Sequence, residues 1–306
     1  MNWALTLALP LAWSLDALFG EPRNRFHPVA WLGLLLGPLG RHLSTWAPAA
    51  AFIAGAVAWL VIATMLGAAA WWLQLSLLNH SPGWVALLLL GLLLKPCFAW
   101  RMLRDEVAAV ENALVRGGLG PARQRLSRLV SRDVNDFGDI QIRETAIETL
   151  AENLNDSVVA PLAWFAVAGL PGAVVYRFAN TADAMWGYRG RYEWVGKWAA
   201  RADDLLSWVP ARLTALLLRP TLAPSAWRAL RVEAARTPSP NGGWAMGAMA
   251  LRLGVRLSKP GIYWLHPRGA EPGGSHVASA LQVASRAAAT AVTTATLLWC
   301  LRSLWA

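Results

Sequence analysis

Charge is scarce in this chain. Of 306 residues only 15% are Asp, Glu, Lys or Arg, against 56% hydrophobic. Soluble domains carry roughly 25% charged residues, so the composition excludes an ordinary water-soluble globule and favours a membrane protein. Cysteine is almost missing as well: Cys97 and Cys300 stand in separate apolar stretches with no CxxC and no nearby histidine cluster. That reads as two core fillers, not as a disulfide or a thiolate metal site. His42, His80, His266 and His276 have no ligand spacing. No apolar–polar alternation of useful length occurs and no internal repeat recurs, so the expected fold is all-α. Basic-aromatic nucleic-acid modules are absent despite the net charge of +10, and no nucleic-acid partner is expected. A P-loop is absent too, because five residues separate Gly190 from Gly196 and Trp198 stands where Ser or Thr is needed. Residues 1–13 hold no Lys or Arg and no cleavage site follows, so the first segment is expected to stay in place.

Long apolar runs take up much of the sequence. Segments 1–19, 48–78 and 83–100 are membrane candidates, since about 20 apolar residues cross the hydrocarbon layer. A fourth lies at 283–301. Loop 20–46 holds Glu21, Arg23, Arg25 and Arg41, loop 79–82 holds no charge, and Arg101 and Arg104 follow residue 100 directly. The positive-inside bias then puts loop 20–46 and the chain after 100 in the cytoplasm, with the N-terminus outside. Segment 158–176 is apolar but interrupted by Pro161, Gly169, Pro171 and Gly172. A full crossing there would export Arg177, Arg189, Arg191, Lys197 and Arg201. A broken or re-entrant helical hairpin resolves the conflict, and segment 205–218, with Pro210 and Arg212, poses the same question. Residues 101–134 read as a cytoplasmic helical hairpin broken by Gly117, Gly118, Gly120 and Pro121. The expectation is an all-α, polytopic integral membrane protein of the inner (cytoplasmic) membrane, with transmembrane helices, broken or re-entrant helices and cytoplasmic helical loops. It is one domain, 1–306: transmembrane helices in 1–100, a cytoplasm-facing helical region with the active site in 101–276, and a last transmembrane helix in 277–306.

Polar residues crowd into 143–204. Glu144, Glu148, Glu152 and Asp156 recur every four residues, which on a helix drifts only about 40° per step and forms one acidic stripe. No Lys or Arg sits four residues on to neutralise any of them. A divalent cation held by these carboxylates with Asn153 and Asn155 would do so, and hard oxygen donors suit Mg²⁺ shared with nucleotide phosphates. A solvated acidic face is the competing reading. The second cluster is Asn180, Asp183, Asp203 and Asp204, interleaved with Arg177, Arg189, Arg191 and Arg201. It suits a metal together with phosphate groups, or simple ion pairing. The two clusters are expected to fold together.

Several motifs run in order along the chain. They are DALFGEP with His27-Pro28-Val29, Arg132-Asp133, IETLAEN with Asp156 and Ala160-Pro161-Leu162, Tyr176, NTAD, GYRGRY, Ala200 to Asp204, Pro210-Ala211-Arg212, SPNGGW and the tyrosine of GIYW. This series resembles the CobD/CbiB adenosylcobinamide-phosphate synthases of cobalamin biosynthesis, integral membrane proteins, over residues 16–264. The sequence departs from the family pattern at Ala182, usually Leu, and at Ser258-Lys259, commonly Gly-Gly. The resemblance implies an ATP- and Mg²⁺-dependent ligase that joins an amino-alcohol phosphate such as aminopropanol phosphate to a carboxylate of adenosylcobyric acid. Its other partners would be membrane lipid and other cobalamin-biosynthesis membrane enzymes. Glu148, Glu152, Asn153, Asp156 and Asp183 are the expected catalytic residues, and Glu148, Glu152, Asp156, Asp203 and Asp204 the metal ligands. Arg143, Asn180, Arg189, Arg201, Arg212, Ser239 and Asn241 would hold the nucleotide and phosphates. Ser239, Pro240 and Asn241 are read as a turn over the site or as a helix cap. A non-catalytic transporter subunit or a scaffold for corrinoid enzymes is the alternative, suggested by the broken apolar segments.

Overall fold

The computed structural model describes residues 3–219 and 223–305, without the side chains of 304 and 305. Met1, Asn2 and Ala306, at the ends of expected segments, lie outside the described residues. The helices are α1 (Trp3–Phe19), α2 (Pro28–Leu43), α3 (Pro48–His80), α4 (Gly83–Leu94), α5 (Trp100–Gly117), α6 (Leu119–Leu126), α7 (Asp139–Leu154), α8 (Ala160–Trp186), α9 (Lys197–Leu218), α10 (Pro224–Ala234), α11 (Gly242–Leu253) and α12 (Gly274–Trp305). The described strands are β1 (Leu257–Lys259) and β2 (Tyr263–Leu265), an antiparallel pair with Leu257 opposite Leu265. The protein is thus an all-α membrane protein with one small hairpin. Among the described residues three helical stretches are long and apolar enough to cross a bilayer: Pro48–His80, Gly83–Gly117 and Asp139–Trp186. The expected segment 283–301 lies inside α12 and does not meet that standard.

The chain forms two compact units. One comprises Met1–Ala99, Ala160–Ser207 and Val292–Ala306; the other comprises Trp100–Val159 and Trp208–Ala291. In the first, α1 and α4 meet through small residues. Ala4, Ala8 and Ala12 are buried, and a methyl group on Gly91 would fall 2.7 Å from Leu11. Just beyond that seam a polar chain closes. The Lys95 ammonium forms an ion pair with Asp16 at 3.2 Å and donates to Glu21 at 2.5 Å, and Glu21 pairs with His27 Nε2 at 2.6 Å. His27 Nδ1 accepts the Val29 N–H at 3.1 Å and so caps α2. With Nδ1 accepting, Nε2 carries the proton that Glu21 receives. The DALFGEP and His27-Pro28-Val29 landmarks are therefore halves of one network.

The broken segment is a tight helical hairpin. Gly169 has φ 68° and ψ −151°, a region essentially reserved for glycine. A methyl group on Gly172 would lie 2.2 Å from the Trp164 carbonyl oxygen, although eight residues of straight helix span about 12 Å. The chain has turned back on itself. The backbone groups freed by the turn are taken up by side chains. Trp299 Nε1 donates to the Phe165 carbonyl at 3.1 Å, and Arg302 donates to those of Ala166 and Val167 at 2.7 and 2.9 Å. On the other arm the Leu170 N–H donates to the buried Gln74 carbonyl at 2.8 Å. Similarly, Trp164 Nε1 donates to the Leu206 carbonyl at 2.9 Å, the group that Pro210 in α9 leaves unpaired. Segment 205–218 is helix throughout, within α9.

Two outcomes are expected. Gly169→Ala should lower the unfolding midpoint in detergent by the equivalent of about 1–3 kcal/mol, because φ there is positive and Gln74 lies within 2.5 Å of the added methyl. Burial alone would raise the Glu21 pKa, but the His27 and Lys95 hydrogen bonds outweigh it and hold the carboxyl below its usual 4.5. The stability it contributes is therefore complete above about pH 4.5 and is lost as pH falls toward the lower folded-state value. Unfolding midpoints measured across that range should drop for wild type and drop less steeply for Glu21→Gln.

Candidate active site

Within the second unit the acidic stripe faces protein. Glu144 and Glu148 are 2% and 1% exposed, so their charges need partners, and these come from distant sequence. Arg256 Nε donates to Glu144 at 3.1 Å, and the Ser258 hydroxyl donates to its other oxygen. Arg132 donates to Glu148 at 2.6 Å, and the Tyr263 phenol donates to the second oxygen. Burial, and then the Glu148 charge, push the Tyr263 phenol above its ordinary range, which keeps it a donor. The expected divalent cation is thus not needed to neutralise Glu144 or Glu148. The solvated-face reading fails for the same two residues.

The hairpin β1–β2 carries this arrangement. Gly261, with φ 74°, makes the turn that brings Ser258 and Tyr263 to the two glutamates. Ser258, a departure from the family pattern, provides a hydroxyl that glycine could not. Lys259, the other departure, acts electrostatically on Glu152, as do Asp156, Glu148 and Arg132.

Glu152 itself is exposed, and among the described residues it has no ion-pair partner. It sits beside Gly242, the first residue of α11, where a methyl group would approach its Oε1 to 3.3 Å. Asn153 turns back on its own helix, donating to the Thr149 carbonyl at 3.1 Å. Residues Asn155–Val159 form a wider π-turn, a feature often found at functional sites. It breaks the regular four-residue stripe between Glu152 and Asp156. Asn155 donates to Asp156 at 2.7 Å and accepts from Thr214 at 3.0 Å.

The expected phosphate-binding residues fare differently. Arg143 grips Glu111 with Nε and Nη2 at 2.9–3.2 Å and reaches Asp139 at 3.2 Å, so its guanidinium is already engaged by carboxylates. Arg212 lies between the Trp208 and Trp244 rings, 4.6 Å from each centroid, and donates to Asn241 Oδ1 at 2.7 Å. Asn241 stands at the N-cap position of α11 but makes no capping bond. Ser239 Oγ accepts the Asn241 and Gly242 N–H groups instead, each at 3.2 Å. Alongside, a cavity of about 720 Å³ is lined by Trp208, Trp227, Trp244, Arg212, Arg228 and Arg231, among others.

The second cluster belongs to the first unit. Asn180 donates to Asp203 at 3.5 Å, and Asp183 feels the charge of Asp204. Gly187 packs on Asp183 so closely that a methyl group would fall 2.1 Å from its Oδ1. Arg189 and Arg201 are exposed. Among the described residues no three acidic, histidine or cysteine side chains gather closely enough to hold a metal ion by themselves. Nothing in the local sequence marks Arg256, Ser258 and Lys259 as partners of the stripe, and Arg132 and Tyr263 stand there only as motif landmarks. Their signal was indirect: buried glutamates with no local cation must recruit one from elsewhere.

Fold and site together define a class, the all-α membrane proteins whose buried carboxylates are clamped by arginine and tyrosine. The family model described as CobD/Cbib protein matches residues 9–293, and the chain belongs to the CobD/CbiB family. A probable cobalamin biosynthesis protein CobD of Thermococcus kodakarensis is 38% identical over 287 residues, 92% of this chain and 91% of that one. Cobalamin biosynthesis proteins CobD of Dehalococcoides mccartyi and Rhodobacter capsulatus are 35% and 38% identical, covering 85% and 94% of this chain and 86% and 92% of theirs. No solved structure matches the chain.

Arg132→Gln should destabilise the protein by about 3–5 kcal/mol, because it strands a buried carboxylate. Arg132→Gln combined with Glu148→Gln should recover much of that loss. Chemical denaturation of the two single variants and the double variant measures the coupling, and strictly additive losses would refute the pairing.

Proposed function

We propose that this protein acts in cobalamin biosynthesis as an ATP-dependent ligase, joining the amine of an amino-alcohol phosphate such as aminopropanol phosphate to a carboxylate of adenosylcobyric acid. The observation that carries this reading is Glu152. It is exposed and without an ion-pair partner at the end of a stripe whose buried members are fixed by Arg256, Ser258, Arg132 and Tyr263.

A carboxylate is a poor acyl donor. In the proposed reaction a carboxylate oxygen of the corrinoid takes the γ-phosphoryl group of ATP and ADP leaves. The expelled phosphate carries off one proton as the amine forms the C–N bond, and a base must first take one from the ammonium to free the attacking lone pair. Glu152 is suited to orient the ammonium and accept that proton, since a general base must be accessible and within hydrogen-bond reach of the group it serves. Arg132 and Tyr263 hold Glu148 in place behind it. The Trp- and Arg-lined cavity has the chemistry for a nucleotide: flat aromatic faces for the base, with Arg228 and Arg231 for phosphates.

Among the described residues no three-ligand cluster stands ready, so Mg²⁺ would bind here only together with nucleotide phosphates. Asp156 would be its protein ligand, leaving Glu152 free as the base, and the ion would neutralise charge on the transferring phosphoryl group. The broken α8 is the feature that favours a transporter. Its freed backbone groups, however, are occupied by Gln74, Trp299 and Arg302.

Purified protein given ATP, Mg²⁺, adenosylcobyric acid and the amino-alcohol phosphate should form the amide and ADP in equal amounts. Glu152→Gln should lose at least about 100-fold in rate while inserting normally, the scale of a missing general base. Corrinoid binding without amide formation in wild type would leave only the transporter or scaffold role.

A further inference from the structure

Within the first unit, α2, α3, α4 and α8 enclose a cavity of about 430 Å³. Its lining includes Trp31, Leu35, Leu66, Leu92 and Val174, and Arg177 is the one charged residue among those that form it. Trp31, Leu35 and Leu92 are more than half exposed and make an open rim. α3 and α4 both belong to stretches long and apolar enough to span a bilayer, which would set this apolar rim against lipid. The Arg177 Nε is buried with no hydrogen-bond partner, and among the described residues no carboxylate pairs with this guanidinium. Just one turn further along α8, Asn180 donates to Asp203 at 3.5 Å.

An uncompensated cation against apolar walls is unfavourable unless an anion joins it. A nucleotide or a corrinoid carboxylate would meet almost no polar group here besides the guanidinium. A small free anion would leave the apolar walls unfilled. Only a ligand with both a hydrocarbon chain and an anionic head satisfies the whole cavity.

We propose that this cavity holds an acyl chain of an anionic phospholipid from the surrounding bilayer, with the lipid phosphate on the Arg177 guanidinium. Arginine suits the role because its planar fork meets phosphate oxygens in pairs. The lipid cancels a charge one helical turn from Asn180. This inference does not depend on the ligase reading.

The test is native mass spectrometry of the full-length protein. Delipidated protein is equilibrated in mixed micelles with phosphatidylglycerol or with phosphatidylcholine of the same chains. Wild type should retain one phosphatidylglycerol with roughly 10-fold preference, the contribution of one charge-assisted hydrogen bond. Arg177→Gln should lose the preference, and Leu66→Trp, which fills the cavity, should lose the lipid while keeping the arginine. Equal retention of both lipids by wild type, or undiminished preference in Arg177→Gln, would overturn the proposal. Should Arg177→Gln fail to fold, normal phosphatidylglycerol retention by Leu66→Trp would overturn it alone. Competition by inorganic phosphate as effective as that of the lipid would reduce the site to a phosphate site and reject the acyl chain.

Discussion

A charged or hydrogen-bonding group among apolar helices has to find a partner within the protein, and much of this structure follows from that requirement. Water is not available to solvate it, and an unmatched group there is unfavourable by several kcal/mol. Several buried charges are met by partners brought from far away in sequence. Asp16 and Glu21 meet Lys95, Glu144 meets Arg256, and Glu148 meets Arg132 and Tyr263. The polar residues thus act as addresses, specifying which helices come together where apolar packing alone would be permissive.

The same requirement divides the acidic stripe. Glu144 and Glu148 are equal to Glu152 in the linear pattern, yet their oxygens are already committed. Their burial gives β1–β2 a fixed seat, and the hairpin in turn brings Lys259 to act on Glu152. A rigid layer of this kind would hold Glu152 in place for the proposed reaction.

Much of the architecture could be read directly. The stretches 48–78 and 83–100 announce themselves by unbroken apolar character, and α3 matches the first closely. Glycines 117 and 118 mark the turn between α5 and α6, where Gly118 has φ 78°. The break at 169 was legible as a conflict between apolar length and the basic residues that follow it. What could not be read was partnership across long separations. Nothing near Glu144 in sequence points to Arg256, 112 positions away. Three-residue strands are too short to show a period of two, so the hairpin that positions Tyr263 left no pattern. The role of Ser239 was also hidden, because Asn241 occupies the cap position and only the folded geometry shows that its side chain serves Arg212.

The hairpin turn at Gly169 has a consequence for biogenesis. Its carbonyls at Phe165, Ala166 and Val167 depend on Trp299 and Arg302, which leave the ribosome more than 130 residues later. Until then the elbow has acceptors that its own arms do not satisfy, so it cannot settle in lipid in its finished form. Insertion of the middle of the chain is in this sense provisional, completed only when α12 arrives.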